Sequence, residues 1–141
     1  MLALVRASLE IEPARSEASP STRRLIRRAK EYLESEFTTP IRLPQIADAV
    51  GSSSAYLTDV FRRFEGVSLQ RYVTQLRLAR ALAELPHTED LTTLALDLGF
   101  SSHSHFTFAF RRAFACTPSE FRLTARRRKS ISALVSTIEK L

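Results

Sequence analysis

The run FSSHSHFTFAFRRAF, residues 100–114, decides the fold because it admits three readings at once. His103 and His105 could share a metal, Phe106, Phe108 and Phe110 alternate like a strand, and Phe106, Phe110 and Phe114 recur every four residues like a helix. The preceding sequence separates these readings. LPQIADAVGSSSAYLTDVFRR, from Leu43, can be laid over LTTLALDLGFSSHSHFTFAFRR, from Leu91. Leu43 then pairs with Leu91, Ile46 with Leu94, Ala47 with Ala95, Val50 with Leu98 and Gly51 with Gly99, at a separation of 48. After one inserted residue the separation is 49. Leu57 now pairs with Phe106, Phe61 with Phe110, Arg62 and Arg63 with Arg111 and Arg112, Ser68 with Thr117, and Tyr72 with Phe121.

In the first copy Leu57, Val60, Phe61 and Phe64 have no period-2 reading, so the period is helical in both. Each copy reads as a short helix, a glycine, a serine-rich turn and a longer helix, which is the helix-turn-helix layout. The glycine supplies the positive φ of a tight interhelical turn, and the serines cap the helix that follows. Two of the three glycines, Gly51 and Gly99, occupy these turns, and Gly66 marks the end of the first long helix. Phe106, Ala109, Phe110, Ala113 and Phe114 form the expected core stripe of the second. Ser104, Thr107, Phe108 and Arg111 point the other way, with His103 and His105 on the first turn. Two histidines at i and i+2 lie about 200° apart on a helix, with no cysteine or carboxylate nearby, so no metal site is expected.

Bulk properties set the wider limits. The 141 residues suit one domain or two very small ones, and 44% hydrophobic content supports an ordinary core. Amphipathic helical spacing is widespread: Leu25, Ile26, Ala29, Tyr32, Leu33 and Phe37 share a face behind a Ser19 or Ser21 cap, and Leu69, Tyr72, Val73, Leu76, Ala79 and Leu82 make a second long stripe. The fold class is therefore all-α. No apolar run reaches the roughly 18 residues of a membrane span, and Glu10 and Glu12 stand where a signal peptide would be cleaved, which points to the cytoplasm. The single Cys116 excludes an intrachain disulfide and reads as a small semi-buried residue. No serine carries an elbow glycine pattern, so no enzyme and no catalytic residue is expected. The net charge of +6 and pI near 10.2 favour a polyanionic partner.

IADAVGSSSAYLTDVFRRFEGVSLQRYVTQLRLARA and LTTLALDLGFSSHSHFTFAFRRAFACTPSEFR together resemble the DNA-binding domain of the AraC/XylS family of bacterial transcription regulators. The resemblance runs from about Arg23 to Leu123. It implies about seven helices in a domain over residues 21–124: a first helix near 21–37, a helix-turn-helix near 43–65, a long linking helix near 68–85, a second helix-turn-helix near 91–114, and a short closing helix from Pro118. Residues 1–20 read as the end of some preceding element plus a linker, so the chain is either a stand-alone regulator or a remnant of a longer one. Residues 125–141 read as a basic tail with a possible short helix on Ile131, Leu134, Val135, Ile138 and Leu141.

Carried onto this sequence, the resemblance implies that the first recognition helix presents Ser54, Ala55, Thr58, Asp59 and Arg62. The second presents His103, Ser104, His105, Thr107, Phe108 and Arg111. Ser53, Arg63, Ser102 and Arg112 join the arginines of both helices as phosphate-positioning groups. The implied partner is double-stranded DNA, read in successive major grooves, with RNA polymerase as a second partner of an activator. No cofactor, membrane or small-molecule ligand is implied. Many family members carry arginine where this chain has Asp59 and Phe108, which are equivalent positions in the repeat. Asp59 can accept from a cytosine amino group and Phe108 can pack on thymine methyls; equally, the two replacements can weaken selectivity. In a different class of reading, the chain is a basic all-α protein-interaction module that has lost specific DNA binding. Two smaller departures concern stability: Arg42 replaces the usual Ser or Thr cap, with Pro44 partly compensating, and Ala115 replaces a turn glycine, which predicts strain in the last loop. The RRRK run at 126–129 reads equally as a solvated segment or as added phosphate contacts.

Overall fold

The structure, a computed structural model, describes residues 18–139, and every regular element among them is helical. Among the described residues there are seven α-helices: α1 (Pro20–Glu36), α2 (Leu43–Val50), α3 (Ser54–Glu65), α4 (Leu69–Glu84), α5 (Leu91–Asp97), α6 (His103–Phe114) and α7 (Pro118–Glu139), with one 3-10 turn at Leu85–His87. The expected all-α class and helix order are observed. Expectations for residues 1–17 and for Leu141 and the Ile138 side chain fall outside the described residues. The chain divides into two compact units between Ala79 and Arg80, inside α4.

The first unit is built on α1, α2, α3 and the start of α4. Ser19 caps α1, its Oγ accepting from the Thr22 N–H at 3.2 Å, with Pro20 supplying a preset φ at the first helical position. Ile26, Ala29 and Leu33 then face Ile46, Ala47 and Val50 of α2, Leu57, Val60 and Phe61 of α3, and Val73 and Leu76 of α4 in one core. Phe61 meets Tyr72 edge to face with ring centroids 5.5 Å apart. Arg77 donates from Nε to Phe37 O at 2.6 Å and from a terminal nitrogen to Thr39 O at 3.1 Å, securing the loop between α1 and α2. Leu78 and Ala81, outside the stripe read along α4, are also buried.

The second unit packs around phenylalanine. Phe106 and Phe110 are fully buried; Phe106 meets Phe100 at 5.1 Å, and Phe110 meets Phe114 at 4.7 Å and Phe121 at 5.8 Å. Ala113, expected in this stripe, is exposed, while the Phe114 and Phe121 rings pack on Phe110 at that end of the core. The closing helix also differs from expectation. Instead of a short helix followed by a tail, α7 runs 22 residues without interruption. A capping box starts it: the Thr117 N–H donates to Glu120 Oε2 at 2.7 Å and the Glu120 N–H donates to Thr117 Oγ1 at 3.2 Å. No Gly or Pro follows Pro118 to break it. Arg122 then reaches Thr88 O and Glu89 O, and Arg126 reaches Pro86 O, Thr88 O and Glu89 Oε1, fastening α7 to the segment after α4. Arg126 is thereby a structural cation, whereas Arg127 and Arg128 are exposed.

Candidate nucleic-acid interface

The two helix-turn-helix frames are near-copies in local structure. Both α3 and α6 are 12 residues long and both begin after a serine N-cap. Ser53 Oγ accepts from the Tyr56 N–H at 3.2 Å, and Ser102 Oγ accepts from the His105 N–H at 3.0 Å. Both helices end on a left-handed residue whose N–H returns to an arginine carbonyl: Gly66 (φ 73°) to Arg62 O, and Ala115 (φ 59°) to Arg111 O. Ala115 is the non-glycine residue with positive φ among those described, which bears out the strain expected there. Gly51 turns the first frame at φ 69°, and a Cβ added to it would meet nothing within 4 Å, so the position is fixed by backbone conformation and not by space.

The leading helices differ in their caps. Arg42 makes no side-chain cap on α2, and Pro44 stands in its first turn, as the sequence implied. Asp90 caps α5 fully: its carboxylate accepts from the Thr92 N–H at 2.9 Å, the Thr93 N–H at 3.2 Å and the Thr93 hydroxyl at 2.7 Å. The Thr93 hydroxyl, then the two N–H groups, hold the Asp90 carboxyl below the usual carboxylate range, with a smaller electrostatic contribution from His103. The Thr117 N–H and hydroxyl do the same for Glu120, with Arg111 adding a smaller favourable field.

Most of the anticipated surface residues face outward. On α3, Ala55, Thr58, Asp59, Arg62 and Arg63 are exposed and Ser54 is half-buried behind an exposed Ser53. On α6, Ser104, His105, Arg111 and Arg112 are exposed, His103 is half-buried, and Ser102 is open to solvent. Phe108 is 65% exposed, confirming an aromatic ring on a polar face that core packing does not use. Thr107 departs from expectation. Its Oγ1 is buried without a hydrogen-bond partner among the described residues, so it turns into the protein, whereas its counterpart Thr58 bonds back to Ser54 O at 2.8 Å.

Contacts on these faces add detail that sequence spacing does not give. His105 is held from two sides, by Ser101 Oγ at 3.1 Å from Nδ1 and by the edge of the Phe100 ring at 5.4 Å. Arg63 donates to Asp59 Oδ2 at 2.6 Å, so one anticipated phosphate contact is engaged within its own helix. Each helix therefore offers an exposed strip of hydroxyl, ring and guanidinium groups along one side of a rigid rod about 18 Å long, a shape a major groove admits.

Comparison with known proteins identifies this pattern. A family model described as a helix-turn-helix domain matches residues 46–124. The regulatory protein SoxS of Salmonella typhimurium is 34% identical over 103 residues, covering 72% of this chain and 96% of SoxS. The chain belongs to the AraC/XylS family of transcription regulators.

Family relatives vary in length around this domain. The HTH-type transcriptional activator RhaS of Escherichia fergusonii is 35% identical over 92 residues, but the match spans 64% of this chain and only 33% of RhaS. Among solved structures, an AraC-type DNA-binding domain protein from Chromobacterium violaceum is 30% identical with a TM-score of 0.67, covering 74% of this chain and 95% of that one. This AraC/XylS chain is thus a DNA-binding transcription regulator. No helix among its described residues is long and apolar enough to cross a membrane.

Proposed function

We propose that this protein regulates transcription from the cytoplasm by inserting α3 and α6 into successive major grooves of double-stranded DNA, and that it is not an enzyme. The observation that carries this reading is the pair of matched 12-residue helices, each with a serine N-cap, a buried apolar side and an exposed polar side ending in two arginines. The proposed readers are Ser54, Ala55, Thr58 and Asp59 on α3, and His103, Ser104, His105 and Phe108 on α6. Arg62, Arg111 and Arg112 position the helices on phosphates, with Ser53 and Ser102 at the helix starts. Thr107, turned inward, has no reading role. Helix α4, free of Gly and Pro, is the spacer that sets the distance between readers, since grooves on one face of the duplex recur about every 34 Å. One chain then binds an asymmetric site without dimerising. It activates transcription, in keeping with the name of the relative RhaS, a transcriptional activator, and RNA polymerase is the proposed partner in that step.

Selection from random duplexes tests this directly. Two short conserved elements about 10 base pairs apart, centre to centre, are the expected result. A single element would overturn the two-reader mechanism. Failure to retain even nonspecific duplex at low salt would instead favour a protein-interaction module, for which the loss of arginine at both Asp59 and Phe108 would be the cause.

A further inference from the structure

Helix α1 carries Arg23, Arg24, Arg27, Arg28 and Lys30, a concentration of positive charge that lies outside the two reading helices. These cations line three cavities of the first unit; Arg23, Arg24 and Arg27 border one together with Pro20, and the other two differ in their balance of charge. One, of about 590 Å³, is lined by Arg23, Arg27 and Lys30 together with Glu31, Glu34 and Glu65. Its charges are balanced internally: Arg27 lies 3.9 Å from Glu31 and Lys30 lies 3.3 Å from Glu65. The other, of about 430 Å³, is lined by Arg24, Arg28, Thr22, Ser52, Ser53 and Tyr56 among others, and no carboxylate borders it.

We propose that this second cavity is a phosphate-binding notch that grips the DNA backbone beside the first recognition helix, with Arg24 and Arg28 as its charged walls. The notch rests on the DNA-binding reading above and extends the contact surface beyond the helix-turn-helix itself. Three features fit a phosphate diester. Arg28 is oriented by the last carbonyls of α2, donating to Ala49 O at 3.0 Å and Val50 O at 3.4 Å, which uses two of the five guanidinium donors and fixes the plane of the rest. Ser53 accepts the Tyr56 N–H through Oγ, which leaves its hydroxyl proton to donate outward. Arg24 is exposed, so its charge is available to an anion. Because Ser53 and Tyr56 belong both to the notch and to the start of α3, a phosphate held there lies next to the groove that α3 enters. The contact carries no base information, so it adds affinity and fixes register without changing sequence preference.

The test uses the full chain on a duplex bearing its selected site. Arg24→Gln should reduce the slope of log affinity against log salt by about 0.9, so that raising salt from 50 to 200 mM costs about threefold less affinity than in wild type. Arg24→Lys should restore most of that slope, and Arg27→Gln, from the balanced cavity, should leave it unchanged. Neutral methylphosphonate linkages scanned across the backbone flanking the first element should reveal one position that weakens wild type but not Arg24→Gln. An unchanged slope in Arg24→Gln, or a methylphosphonate effect that persists in that variant, would overturn the notch while leaving the two-reader mechanism intact. Absence of wild-type binding to any duplex would remove both. Matched thermal melts of wild type and Arg24→Gln establish that folding is not the variable.

Discussion

Arg63 reaches back one turn of α3 to donate to Asp59 Oδ2 at 2.6 Å, whereas the equivalent residues of α6 are Phe108 and Arg112, between which no such ion pair is possible. The two recognition helices therefore share a frame but not a charge pattern: α3 neutralises one arginine internally and α6 presents both of its own. An exposed i, i+4 pair of this kind is worth only about 0.3–0.5 kcal/mol, so DNA can compete for Arg63 at modest cost.

Replacing Asp59 with Asn removes the competing carboxylate. Affinity for nonspecific duplex should rise and the salt slope should steepen by about 1 as Arg63 becomes available to a phosphate. If Asp59 accepts from a cytosine amino group, selection with the variant should also relax one position of the first element. A salt slope identical to wild type would mean that the ion pair with Asp59 does not withhold Arg63 from the backbone.

Phe108→Arg and Arg111→Ala separate reading from positioning. The first should change the preferred base at one position of the second element, since arginine introduces a bidentate guanine contact worth about 1–3 kcal/mol of discrimination. Arg111→Ala should instead weaken all duplexes alike and lower the salt slope by about 1. Parallel selection and salt titration measure both effects, and equal outcomes would refute the division of roles.

Ala115 holds a left-handed conformation that costs an L-residue with a Cβ about 1 kcal/mol or more. Ala115→Gly should therefore stabilise the protein by roughly 0.5–1 kcal/mol, after allowing for the greater freedom of glycine in the unfolded chain. Gly66→Ala, at the equivalent φ of 73°, should destabilise by a similar amount. Denaturant midpoints measured on both variants check the pair.

Asp90 and Glu120 give the second unit an acid-sensitive component. Both carboxyls are held below the ordinary range by hydrogen bonds that only the ionised folded form accepts. The folded state thus binds fewer protons than the unfolded chain, and their stabilisation is present above the unfolded values, the higher of which is 4.5 for Glu120, and lost as pH falls through the lowered folded values. Asp90→Asn should lower the thermal midpoint at neutral pH and narrow the gap between wild type and variant at pH 3. A gap independent of pH would exclude the carboxylate as the source of the cap's strength.

The legible part of this molecule was what periodicity and repetition encode. The repeat from Leu43 and Leu91 is enough to assign both helix-turn-helix frames, and the isolation of Phe108 from the phenylalanine core is visible from its helical phase alone. Side-chain reach across the chain was not legible. Nothing in the spacing of Arg126 indicates that it bonds to Pro86 O and Thr88 O some forty residues earlier, or that Arg28 meets the end of α2. Helical phase places the Thr107 Cβ near the polar face, but its hydroxyl is buried at the inner edge of that face. Helical phase fixes a side chain's direction to within roughly one neighbouring position, and that margin decides whether a boundary residue faces solvent or core.

The equal lengths and matched serine caps of α3 and α6 also have a bearing on how such a protein changes its target. Since the framework is common to both helices and the outward residues lie apart from it, the two sets of outward side chains are interchangeable cargo. A chain in which the residues at 54, 55, 56, 59 and 62 are exchanged with those at 103, 104, 105, 108 and 111 would address the same two words of DNA in the opposite order, so new regulatory sites can arise by transposing existing vocabulary without inventing any.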